Sequence, residues 1–210
     1  MIKNHSSLWS ANEDVKKKSN LAQFCKQLDK KKLLKYSHDF KNLWRWSINN
    51  SEVFWSEIWD FTQIKGIKGK KILKKNKVFY KNIFFSDSKL NYAENLLSKN
   101  NDEIAINFYS ESSITKKITW KKLYENVCKF SYFLKKINIK EEERVAAYVP
   151  NTIETIISFL SVSKNGLIWS SCSPDFGVQG VVDRFLQIKP KILITCDYYF
   201  YNGKKINILQ

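Results

Sequence analysis

The sequence predicts an α/β fold, with a helical N-terminal extension over residues 1–100 and the first part of a parallel-sheet domain over 101–210. Three observations carry this reading. Arg144–Val149, Leu167–Ser171 and Ile192–Cys196 are short, mostly apolar runs, the pattern of strands covered on both faces. Between them lie two segments with helical spacing of apolar residues, Ile153, Ile156, Ile157 and Leu160, then Val178, Val181, Val182, Phe185 and Ile188. Pro150 and Pro190 punctuate the change from one pattern to the next. Strand, helix, strand, helix, strand in this order implies parallel pairing through right-handed crossovers. Ligands of such sheets bind beyond the carboxyl ends of the strands, here the turns after Val149, Ser171 and Cys196.

Taken in order, Leu21, Phe24 and Leu28 predict a short helix entered through Ser19 or Asn20. Trp44, Trp46, Phe54, Trp55, Trp59 and Phe61 form an aromatic cluster that requires a partner surface, since each ring left in water is unfavourable. The expected partner is the domain that follows. Ile64–Lys71 has two glycines and four lysines but no hydroxyl and no strand before it, so it is a polar loop rather than a phosphate loop. Ile104–Tyr109 and Ile118–Trp120 flank Ser110–Lys117 as the arms of a hairpin. Leu123, Val127, Phe130, Leu134 and Ile137 then mark a core helix. Asn151 with Glu154 resembles a capping box, and Ser173 or Asp175 is placed to cap the helix that begins near Val178. Arg144 stands at a strand start. Arg184 is expected to pair near Asp183 or with Glu154.

Several stretches, in the same order, resemble the start of the adenylation domain of the AMP-forming acyl-CoA synthetase superfamily, and within it the acetoacetyl-CoA synthetase branch. They are Leu43–Ser47, Phe54–Phe61, Leu90–Leu97, Ile168–Gly177 and Tyr201–Lys204. Asn91-Tyr92-x-x-Asn95 and the Arg144–Ala146 strand with Pro150-Asn151 belong to the superfamily at large. The Trp-Ser-Ser-Cys-Ser-Pro-Asp-Phe-Gly block, Trp169–Gly177, points to acetoacetate as the acid. The resemblance implies an enzyme that uses ATP, magnesium and CoA to make acetoacetyl-CoA, AMP and pyrophosphate through an acyl-adenylate.

The same resemblance defines what these 210 residues lack. The superfamily holds the triphosphate with a Thr/Ser/Gly-rich loop and uses a lysine on a mobile C-terminal domain. With only six glycines, all dispersed, no stretch here fills that loop. The chain therefore reads as an N-terminal portion, inactive alone, with no catalytic residue and no metal ligand of its own. A separate partner chain carrying the missing C-terminal part, or a non-catalytic remnant, is the alternative. By likeness to acetyl-CoA synthetases, CoA would lie against Ser173, Pro174 and Asp175 and against Lys204, with Tyr201 standing where those relatives have an arginine.

Composition excludes other classes. The net charge of +16 comes almost wholly from lysines scattered along the chain, alongside abundant Asn and Ile, a bias of AT-rich coding. Arg45, Arg144 and Arg184 are the only arginines, whereas nucleic-acid readers favour the arginine fork on one face, so no nucleic-acid partner is expected. Runs such as Lys16–Lys18 and Lys30–Lys32 read as solvated helix faces. No apolar run reaches membrane-spanning length and the start lacks a signal core, so the expected location is the cytoplasm, with no membrane partner. Cys25, Cys128, Cys172 and Cys196 lack metal or disulfide spacing and are expected as free thiols. His5 and His38 have no adjacent nucleophile and are given no role.

Overall fold

A computed structural model of the chain describes residues 9–35, 39–111 and 115–209; His5 and His38 lie outside them. The chain divides into two compact units, Met1–Lys89 and Leu90–Gln210.

In the first unit, α1 (Glu13–Lys18) and α2 (Asn20–Lys30) are capped by Asn12 and Ser19, whose side-chain oxygens accept from the amides of Val15 and Ala22. α3 (Phe40–Asn49) follows Asp39, which accepts from the Lys41 amide, and α4 (Ser51–Phe61) completes the set. Phe24, Cys25, Leu28 and Leu43 are the core, and Trp46, Phe54 and Phe61 pack onto it. Phe54 and Phe61 meet Phe24 edge-on at 5.9 and 5.2 Å, the arrangement their quadrupoles favour. Helix α2 is thus the cover for much of the aromatic cluster. Trp59 is buried and lies 5.1 Å from Phe85, whereas Trp44 and Trp55 stay 52% and 42% exposed. Leu21, expected on the buried face of α2, is also exposed.

A charge sits inside this packing. Glu57 of α4 is buried, and Lys31 reaches it at 2.7 Å while Gln27 donates to it at 3.1 Å. Lys31 stays exposed like Lys30 and Lys32, but its ammonium is engaged, because a carboxylate taken out of water needs donors.

The rest of the unit is irregular: β1 (Gly66–Ile67), β2 (Leu73–Lys74) paired antiparallel with β3 (Ile83–Phe84), a 3-10 turn at Phe79–Lys81, and β4 (Lys89–Leu90). The loop between β1 and β2 does gather amides around an anion, but the anion is internal. Asp87 accepts from the amides of Lys70 and Lys71 at 3.0 and 3.1 Å, and these bonds hold its carboxyl below the usual carboxylate range. Gly69, at φ +75°, presses so close to Asp87 that a Cβ would collide with it.

The second unit begins with α5 (Tyr92–Leu96), capped by Asn91. The hairpin β5 (Ile104–Tyr109) and β6 (Thr115–Thr119) leads into α6 (Trp120–Lys136), followed by β7 (Arg144–Tyr148), α7 (Ile153–Lys164), β8 (Ile168–Cys172), α8 (Val178–Ile188), β9 (Ile192–Thr195) and the hairpin β10 (Tyr198–Tyr201) and β11 (Lys204–Asn207). The three predicted strands form a parallel sheet in the order β8-β7-β9. Central β7 shows why its sequence is apolar throughout, since Val145, Ala146 and Ala147 are all inaccessible to water. On α6, Leu123, Val127 and Leu134 are buried, but Ile137 lies past the end of the helix and is 46% exposed.

Two helix ends and one side-chain contact correct the sequence reading. Thr152, not Asn151, caps α7 by accepting from the Thr155 amide, and Glu154 faces Lys116 at 3.6 Å instead of closing a capping box. Gly177 is the N-cap of α8 and offers no side chain, because Ser173 and Asp175 belong to a turn before it and bond each other. Arg184 stacks on Phe176, 4.7 Å from the ring centroid, rather than on a carboxylate.

The Asn91-Tyr92-x-x-Asn95 motif has a structural explanation. Asn91 accepts from the Glu94 amide, and its own amide group donates to the carbonyls of Ser163 and Lys164 at the end of α7. Asn95 donates to the Asn91 carbonyl. One side chain thereby caps the start of α5 and the end of α7. This draws α5 into the second unit, about ten residues ahead of the sequence division at 100/101.

Candidate functional site

The carboxyl ends of β7 and β9, with the turn end of the β5–β6 hairpin, line a cavity of about 490 Å³. Val149–Thr152 line one side and Thr195–Phe200 another, while Tyr109, Glu111 and Lys116 come from the hairpin. Its charges are unequal: Glu111, Glu154 and Asp197 against Lys116. Glu154 is paired with that lysine, and Glu111 accepts from the Gly203 amide at 3.1 Å. An excess of carboxylates disfavours a polyphosphate in this cavity, so its lining alone does not make a nucleotide site.

The turn after β8 is built differently. Pro174 fixes its φ and is buried, and the Phe176 amide donates to the Ser173 carbonyl at 3.1 Å, closing a four-residue turn. Ser173 and Asp175 are exposed and hydrogen-bonded to each other. The Tyr148 hydroxyl, at the end of β7, donates to the Pro174 carbonyl at 2.6 Å and lies 3.1 Å from that of Phe176. Burial, followed by the neighbouring Tyr199 and Asp175, pushes the Tyr148 phenol up, which keeps it protonated and donating.

Lys204 opens β11, exposed, directly opposite exposed Tyr201 in the β10–β11 register. Among the described residues it has no carboxylate partner, and no hydrogen bond or ion pair joins it to Ser173–Asp175. The four sequence-chosen residues thus lie in two places, the β8 turn and the β10–β11 hairpin. Sequence reasoning missed Tyr148, whose polar end was hidden as the last letter of an apolar strand; its position two residues before Pro150 was the available signal.

All four cysteines are free. Burial raises the thiols of Cys25 and Cys196, against nucleophilic use. Among the described residues no three His, Cys, Asp or Glu side chains gather as a metal site, and no helix is long and apolar enough to cross a membrane.

Residues 94–209 match the family described as AMP-binding enzyme, more than half of the chain. The chain belongs to this family. Its similarity is to acetoacetyl-CoA synthetases: that of Rhizobium meliloti (strain 1021) is 36% identical over 201 residues, covering 96% of this chain and 31% of the relative. The synthetase of Xenopus tropicalis is 38% identical over 196 residues, 91% of this chain and 29% of the relative. The solved acetoacetyl-CoA synthetase from Streptomyces lividans superposes with a TM-score of 0.89 at 25% identity, over 97% of this chain and 32% of that one. The chain therefore has the fold of about a third of such a synthetase, and spans about a third of the length of the relatives it matches.

Proposed function

We propose that the chain is the N-terminal part of an AMP-forming acid–CoA ligase of the cytoplasm, comprising the extension over 1–100 and the opening of the adenylation domain over 101–210. The reaction is acetoacetate, ATP and CoA to acetoacetyl-CoA, AMP and pyrophosphate. The observation that carries this is the likeness to acetoacetyl-CoA synthetases, which runs over 96% of the chain rather than over the common AMP-binding region alone. The Ser173-Pro174-Asp175 turn and Lys204 then face CoA. Lys204 fits a phosphate, being an exposed cation without a carboxylate partner among the described residues. The turn does not, because the Ser173 hydroxyl is engaged with Asp175 and that carboxylate repels phosphate. The turn suits the polar, uncharged parts of the nucleotide.

CoA, when bound, supplies the thiol that accepts the acyl group; these residues orient its distant nucleotide end. Gripping the triphosphate and its magnesium falls to polypeptide other than these 210 residues, supplied as a continuation or as a partner chain. The test joins residues 1–210 to the remaining two thirds of the Rhizobium meliloti synthetase. Acetoacetate-dependent exchange of pyrophosphate into ATP is expected from the joined protein, and none from residues 1–210 alone. A folded joined protein that activates acetate better than acetoacetate overturns the choice of acid, and turnover by the 210 residues alone overturns the division of labour.

A further inference from the structure

We propose that Tyr148 is a positioning residue that ties together the two limbs of the CoA-facing surface, the Ser173–Gly177 turn and the limb of β9 and β10 that leads to Lys204. The proposal rests on the CoA reading above. Its basis is the place of Tyr148 in the sheet. As the last residue of the central strand it stands in register with Cys172 of β8 on one side and Thr195 of β9 on the other. Its hydroxyl holds the Pro174 and Phe176 carbonyls of the β8 turn, and its backbone carbonyl accepts from the Thr195 hydroxyl at 3.1 Å. One residue is therefore bonded to both limbs.

The two contacts do different work. The carbonyls of Pro174 and Phe176 lie beyond the ladder, where no strand partner satisfies them, so the phenol sets the height of the turn above the sheet. The turn is also held by its own Ser173–Phe176 and Ser173–Asp175 bonds, and Arg184 rests on the Phe176 ring, a contact to a side chain that leaves the backbone free to shift. At the other limb, β9 ends at Thr195, and the chain reaches β10 three residues later. Fixing Thr195 thus fixes where the hairpin carrying Tyr201 and Lys204 departs. A ligand that spans the turn and Lys204 needs the spacing between them set beforehand, and small errors of placement are costly in such arrangements.

Tyr148→Phe keeps the ring and the backbone carbonyl and removes only the hydroxyl's bonds to the turn. In the 210-residue chain, hydrogen exchange of the Phe176 amide, the donor that closes the turn, is expected to quicken by about five- to tenfold, the value of one net hydrogen bond. The Val145 amide in the same strand stays unchanged. In the joined ligase the KM for CoA rises by about the same factor, while acetoacetate-dependent pyrophosphate exchange, which needs no CoA, is unaltered. Unchanged Phe176 exchange overturns the proposal, as does an equal loss in both half-reactions, which would mark a merely structural role. Faster Phe176 exchange with an unaltered CoA KM also overturns it and places the fault in the CoA reading. Thr195→Val, which cuts the other link, is expected to raise the CoA KM in the same direction, and carries the test if Tyr148→Phe does not fold.

Discussion

The two units of this chain solve the problem of cohesion by opposite means. In the first, four short helices and scraps of strand are held by rings, with Phe24 meeting Phe54 and Phe61, and by one buried carboxylate with its lysine. In the second, small residues pack a parallel sheet whose central strand has its three middle residues fully covered, and polar side chains tie the ends of elements to one another. Ring packing resists deletion of a single large side chain poorly, because each ring serves several neighbours. Ladder bonds are many and individually modest. The second arrangement brings the carboxyl ends of β7 and β9 together at one edge, where chemistry can be placed.

The largest test of this contrast is Phe24→Ala. Removing the ring that both Phe54 and Phe61 contact is expected to cost about 3–5 kcal/mol. Protection from hydrogen exchange should collapse in α2 to α4 while that of β7 persists; simultaneous loss in both units would break the comparison. Smaller is Asn91→Ala, which strips a helix cap together with donors to Ser163 and Lys164. About 1–3 kcal/mol is expected in chemical denaturation, with the end of α7 fraying first. Smallest is Asp87→Asn. The loop amides depress the Asp87 carboxyl, so its contribution is complete above the ordinary carboxylate pKa and is lost as pH falls through the lower folded value. Thermal melts should place Asp87→Asn below the parent near neutrality, with the gap closing as pH falls, so that the variant shows the shallower acid limb.

How much of this could be read from letters depended on how far each signal reaches along the chain. The order of strands and helices in the second unit was legible because apolar period is a local property, repeated over ten or more residues. Caps were less so: Asn151, Thr152 and Glu154 all have capping chemistry, and what decided was the hydroxyl of Thr152 on the Thr155 amide while Lys116 drew Glu154 aside. Arg184 was assigned a carboxylate because charge is visible in sequence, whereas an aromatic face eight residues earlier competes only once α8 forms. Of the candidate site, Ser173, Pro174, Asp175 and Lys204 came from family resemblance. Tyr148 did not, since a hydroxyl at the end of an apolar run acquires its partners 26 and 28 residues downstream.

The Asn91 bridge also orders events in time. Its partners Ser163 and Lys164 follow it by 72 and 73 residues, which at ribosomal speeds of 5–20 residues per second is a wait of roughly four to fourteen seconds. The aromatic helices are complete by Phe61 and free to consolidate during that interval. Helix α5 must emerge with its clamp unmade, so the second unit closes only when α7 has left the ribosome, and a translational pause before Ser163 would prolong the life of a half-assembled nascent chain.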